Sequence, residues 1–124
     1  MKALVVVAHG SRREASNEEV RVLADNLSKR ADGTFDRVIP AFLELADPSI
    51  PDGIEQAILD GADEVLVFPY FLTAGRHVAE DIPEEVEKVK ARYPNANVRI
   101  ASYLGAMQGV TDLILRSVEP EVEG

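Results

Sequence analysis

Short apolar runs alternate with longer amphipathic stretches along this chain, and that alternation limits the fold more than any other feature. Lys2–Ala8 (KALVVVA) is almost continuously apolar. A strand that shows no polar face has both faces buried, the condition found in parallel sheets. Similar runs recur at Arg37–Leu43, Glu64–Phe71 and Asn97–Leu104. Between them, apolar residues return every three or four positions. Val20, Leu23, Ala24 and Leu27 form one such face, and Ile50, Ile54, Ala57 and Ile58 another. Ile82, Val86, Val89 and Tyr93 form a third. That spacing is helical.

Punctuation supports the division. Ser16 with Glu19 reads as a capping box. Pro48-Ser49 opens the second helix, and Gly61 suits its end. Asp81-Ile82-Pro83 opens the third, with Pro in the first turn. A last helix begins near Gly105 and carries Val110, Leu113, Ile114 and Val118. Glu119–Gly124 is expected to fray. Strand–helix alternation implies an α/β three-layer sandwich, a four-stranded parallel sheet with helices on both faces. Right-handed crossovers favour strand order 2-1-3-4, with Pro40 placing the second strand at an edge. With 124 residues, one domain spanning 1–124 is expected.

Composition narrows the function. No cysteine is present, which removes disulfides, thiolate metal sites and a cysteine nucleophile. Any metal must bind His, Asp, Glu or backbone oxygen. With 13 Lys and Arg against 22 Asp and Glu, the net charge is −9. That argues against a general nucleic-acid binder. The apolar run at the start is too short to span a membrane and lacks the pattern of a secretory signal. Cytoplasmic residence is the plain expectation.

The chain has two histidines. In an open α/β sheet, ligands bind beyond the carboxyl ends of the strands, where strand order reverses. For order 2-1-3-4, that point lies between the first and third strands. His9 follows the first strand. His77 is expected in the loop after the third. Glu44 follows the second. Two imidazoles and a carboxylate suit a borderline divalent ion such as Co²⁺, Ni²⁺, Fe²⁺ or Zn²⁺, with coordination positions left open. A loop histidine bonded only to backbone is the bland alternative. Gly10-Ser11-Arg12 can cradle an anion or form an ordinary turn. Arg12, Arg13 and Arg76 flank the histidines, or simply decorate the surface. Phe42, Leu43, Leu45, Tyr70, Phe71 and Leu72 gather at the strand ends, either as core caps or as an apolar cleft for a flat ring.

At these residues the sequence resembles a known family, the short class II chelatases of sirohydrochlorin. The matching segments are His9-Gly10-Ser11-Arg12, Phe42-Leu43-Glu44-Leu45 with Pro48-Ser49-Ile50, and Pro69-Tyr70-Phe71-Leu72 through Gly75-Arg76-His77. Asp81-Ile82-Pro83 and Tyr103-Leu104-Gly105 follow in order. The resemblance spans almost the whole chain. It implies that His9 binds metal and accepts pyrrole protons, that His77 is a second ligand, and that Glu44 contacts metal or substrate. It implies a tetrapyrrole-lining loop of Leu72, Thr73, Ala74, Gly75, Arg76 and His77, with Ser11 and Arg12 toward substrate carboxylates. It further implies a homodimer, and no cofactor beyond the divalent metal that is the substrate. The short form points to cobalt first, with nickel and iron open. A histidine-rich insertion and iron–sulfur cysteines, present in some members, are absent here. Two rivals stand beside this reading. One is a metal or tetrapyrrole carrier with the same site. The other is a His9-dependent phosphohydrolase, although Ala8 occupies the position where histidine phosphatases carry Arg.

Overall fold

The structure is a computed structural model that describes the backbone of residues 1–123 and the side chains of residues 1–119. Its strands are β1 (Lys2–Ala8), β2 (Arg37–Phe42), β3 (Glu64–Pro69) and β4 (Asn97–Ile100). The helices are α1 (Glu14–Arg30), α2 (Ile50–Leu59), α3 (Ile82–Arg92) and α4 (Gln108–Glu123). All strand pairs are parallel, in the order β2-β1-β3-β4 expected from the alternation.

The central strand explains the architecture. Val5, Val6 and Val7 are all fully buried although they point to alternate faces. Val5 and Val7 join the main core with Ile39, Val65 and Val67, under Ile50 and Ile54 of α2 and Ile82, Val86 and Val89 of α3. Each such side chain contributes about 1.5–3 kcal/mol when fully buried. On the other face, Phe42 and Ala8 pack against Val20 of α1, and the Arg21 guanidinium lies 5.5 Å from the Phe42 ring centre. Pro40 sits on β2, which pairs only with β1, so its missing N–H breaks no ladder.

Several expectations are corrected. α1 begins at Glu14, and Ser16 is not its cap; the N-cap is Arg13, which makes no side-chain cap. Asn17 takes the ordering role instead. It is buried, accepts from the Ser11 N–H at 2.9 Å and donates to the Ser11 carbonyl at 2.8 Å. A capping-box pattern inside a helix has no free N–H groups to satisfy. Ser49 does cap α2, accepting from the Asp52 N–H. β3 ends at Pro69 and β4 at Ile100, short of the expected Phe71 and Leu104. Leu104–Ala106 is a 3₁₀ turn. α1 covers one face, and α2 with α3 covers the other; among the described residues, the substantial contacts of α4 are with the 3₁₀ turn. The tail expected to fray, Glu119–Gly124, falls largely outside the described side chains, and Gly124 outside the described backbone. Among the described residues, no helix is long and apolar enough to cross a membrane.

Candidate functional site

β1 is flanked by β2 on one side and β3 on the other. The loops after β1 and β3 therefore part in opposite directions, leaving a crevice at the carboxyl end of the sheet. His9 stands directly after β1. Its approach to Glu44 is set by backbone rather than side chain. Gly10 has φ +93°, and a Cβ there would lie 1.7 Å from the Glu44 carbonyl oxygen. Only glycine allows that contact. The Glu44 N–H closes the junction by donating to the His9 carbonyl at 3.0 Å. Glu44 Oε1 then lies 4.0 Å from His9 Nε2. Leu45, next in the chain, holds a left-handed φ of 66°, uncommon for a branched residue.

His77 is not in a loop as expected. Helical backbone starts at Gly75, and His77–Asp81 forms a π-helical turn leading into α3. The Ile82 N–H donates to the His77 carbonyl, five residues back. Pro83 follows with no N–H to give. Within this turn, Asp81 Oδ2 accepts from His77 Nδ1 at 2.8 Å.

The two imidazoles meet. Their ring centres are 4.6 Å apart and the planes are inclined by 75°. His9 Nδ1 lies 2.9 Å from the Gly10 carbonyl oxygen. Carbonyl and carboxylate oxygens only accept, so each neutral ring carries its proton on Nδ1 and leaves Nε2 with a free lone pair. Both rings are about half exposed. A metal about 2.1 Å from each Nε2 would put two ring centres about 4.5 Å apart if its bonds were roughly perpendicular. The observed spacing suits a shared ion. Among the described residues, no cluster of three His, Asp or Glu is drawn tightly enough to enclose an ion. The histidine pair is the unit, and Glu44 stands beside it.

Other sequence candidates are distributed around this centre. The Ser11 hydroxyl accepts from the Arg13 N–H, which makes it part of the turn. Arg12 is exposed. Arg76 pairs with Glu80 at 2.9 Å on the surface. Leu72, Thr73, Ala74 and Gly75 are exposed beside His77. Of the apolar group, Phe42 is buried and Leu43 and Phe71 pack against the main core, while Leu45, Tyr70 and Leu72 remain exposed. The Phe71 ring centre is 6.5 Å from that of His77. Two contributors were missed in the sequence. Asp81 was read as a helix opener, although a carboxylate four residues after a histidine on a helix is its neighbour. Asn17 carried no local signal, since its partner is a turn.

A profile of the CbiX family matches residues 3–121. The chain belongs to the CbiX family. It is 32% identical over 118 residues to the sirohydrochlorin ferrochelatase of Priestia megaterium, covering 95% of this chain and 44% of that protein. It is 40% identical over 83 residues to the sirohydrochlorin cobaltochelatase of Methanocaldococcus jannaschii, covering 67% and 57%. A solved structure of the sirohydrochlorin chelatase SirB from Bacillus subtilis subspecies spizizenii, in complex with cobalt, superposes with a TM-score of 0.83 at 27% identity. It covers 96% of this chain and 50% of that one. This CbiX-family chain thus spans about half the length of these relatives.

Proposed function

We propose that this chain inserts a divalent metal ion into sirohydrochlorin, with His9 and His77 holding the incoming ion. The observation that carries the reading is the meeting of the two imidazoles, 4.6 Å apart, with both Nδ1 atoms engaged. The names of its CbiX-family relatives support the same chemistry.

Sirohydrochlorin has two pyrrolic protons that must leave as a doubly charged ion enters. An ion held on two neutral imidazoles has given up part of its water shell and is already positioned, so a separate encounter of free ion with the ring is avoided. When the ion passes to the ring, the imidazole nitrogen that releases it regains a lone pair. His9 Nε2 then accepts a pyrrolic proton as general base, Glu44, 4.0 Å away, relays it to solvent, and the second pyrrolic proton leaves by the same route. The exposed loop Leu72–His77 meets one face of the macrocycle, and Ser11 and Arg12 face its carboxylates. Cobalt is favoured, with nickel and iron as the other substrates. Pairing of two copies and cytoplasmic residence complete the proposal.

The test is direct. Sirohydrochlorin is mixed anaerobically with Co²⁺, Ni²⁺ or Fe²⁺, with and without protein, and the absorption spectrum is followed. Acceleration by protein is expected. The absence of acceleration with any of the three ions would refute the enzyme. Stoichiometric binding without turnover would assign a carrier.

A further inference from the structure

Among the described residues, Asn17 is the one buried polar side chain, at 2% exposure. A buried amide has to be matched at both ends, because leaving one polar group unpaired costs more than a typical hydrogen bond contributes. Here both ends are matched. Asn17 Oδ1 accepts from the Ser11 N–H at 2.9 Å. Asn17 Nδ2 donates to the Ser11 carbonyl at 2.8 Å and to Glu14 Oε2 at 3.3 Å. A backbone N–H only donates, while a carbonyl and a carboxylate only accept, so these partners leave a single orientation for the amide. Asn17 therefore grips both main-chain polar groups of a residue two positions after His9.

The Ser11 N–H shares a rigid peptide plane with the Gly10 carbonyl. That carbonyl is the oxygen 2.9 Å from His9 Nδ1. One peptide unit thus faces Asn17 with its N–H and the His9 ring with its oxygen. Gly10 has φ +93°, and a peptide next to glycine meets little steric resistance to rotation. Turned over, the same plane would offer His9 an N–H in place of an oxygen. The neutral ring would then carry its proton on Nε2 and lose the lone pair that the ion needs. Asn17 opposes that rotation, because the turned plane would leave its buried Oδ1 without a donor.

The hydrogen bonds also run in one sense. The Glu14 carboxylate accepts from Asn17, Asn17 Oδ1 accepts from Ser11, and the Gly10 carbonyl accepts from His9. Each bond makes the next acceptor stronger, so electron density is pushed toward His9 Nε2. His77 has a carboxylate directly on its Nδ1, that of Asp81. His9 has a peptide there, and Asn17 stands behind the peptide.

We propose that Asn17 is a positioning residue for His9, fixing the tautomer of the ring through the Gly10–Ser11 peptide. The inference rests on the ion site proposed above and names what keeps its first imidazole ready. Partners that orient a metal-binding imidazole typically change metal affinity by about 10–100-fold. Asn17 works at one remove, so the lower end of that range applies.

Wild type, N17L and N17D test the assignment. Leucine copies the branched shape of asparagine without a polar atom, and aspartate keeps an acceptor for the Ser11 N–H. In the metal-free proteins, ring ¹⁵N shifts are expected to place the His9 proton on Nδ1 in wild type and N17D. In N17L they are expected to move toward the Nε2–H form, with His77 unchanged. Co²⁺ affinity, titrated on the cobalt absorption band, is expected to fall about 10-fold in N17L and to be largely recovered in N17D. A structural role alone would lower the melting temperature of N17L and leave the His9 tautomer as it is. Wild-type ring shifts in a folded N17L would overturn the proposal, and so would an N17D variant as impaired as N17L. If N17L does not fold, the wild type decides. Scalar couplings across hydrogen bonds are expected from the Ser11 ¹⁵N to the Asn17 side-chain carbonyl carbon and from His9 Nδ1 to the Gly10 carbonyl carbon, and the absence of either overturns the proposal. Both NMR readouts need no metal, so a wild type that binds no Co²⁺ would refute the ion site separately from the tautomer lock.

Discussion

His9 and His77 follow two adjacent strands and meet with ring centres 4.6 Å apart, although 68 positions separate them in the chain. Each donates its Nδ1 proton to a fixed oxygen, one on Gly10 and one on Asp81. Replacing either imidazole by methyl should remove half of the proposed ion site. H9A and H77A are each expected to slow metal insertion by about 10²–10⁴-fold, read from the sirohydrochlorin spectrum. Both side chains are half exposed, so thermal unfolding should shift little. Full rate in both variants would remove the histidines from the mechanism. Glu44→Gln is expected to have a smaller effect, since Glu44 stands 4.0 Å from His9.

In the proposed ion site Asp81 acts through His77, whose Nδ1 it holds at 2.8 Å. D81A should lower Co²⁺ affinity by about 10–100-fold, in the range of partners that orient a metal-binding imidazole. D81N keeps an acceptor oxygen and should recover part of that loss. Titration of the cobalt absorption band measures both, and the ¹⁵N shifts of the His77 ring report its tautomer. Equal affinity in wild type and D81A would refute the positioning role.

Gly10 is the tightest backbone contact at the site. G10A combines a left-handed φ of +93° with a Cβ 1.7 Å from the Glu44 carbonyl oxygen. The variant should lose at least about 2 kcal/mol of stability, the scale of a strained backbone position. A lowered urea midpoint with unchanged slope is the expected result. A wild-type midpoint would mean that the junction between His9 and Glu44 is not rigid.

Glu14 supplies a pH test remote from the metal site. Hydrogen bonds from Arg21 and then Asn17 hold its carboxyl below the ordinary carboxylate value. A carboxylate with a lowered folded pKa stabilises the fold above its unfolded pKa, and the contribution fades as pH falls through the folded value. The melting-temperature difference between wild type and E14Q should therefore be greatest near neutrality and vanish in acid. Because Glu14 is exposed, the difference should be small and reduced by salt. A difference that grows in acid would contradict the assignment.

Much of the site was visible in one dimension because strand order follows from pattern. The apolar run Lys2–Ala8 announces a central strand, and Pro40 announces an edge. Those two features put His9 and His77 at one end of the sheet. Asp81 escaped notice because its helical register starts at Gly75, earlier than Pro83 suggested. Ser16 misled because the N–H groups near it are already paired in the helix, while Asn17 closes the turn from within. The apolar residues at the strand ends looked alike in sequence. Only packing separated buried Phe42 from exposed Leu45 and Leu72.

By itself the sequence determined the class of fold, the order of the strands and the identity of the two imidazoles. Periodicity carries that information because each residue's face depends only on its neighbours. Tertiary structure decided what depends on distant partners. It brought His77 against Asp81, pressed Gly10 onto the Glu44 carbonyl, and left Leu113, Ile114 and Leu115 of α4 exposed. The periodicity of α4 gathers its apolar residues on one face, and it carries no information about what that face meets.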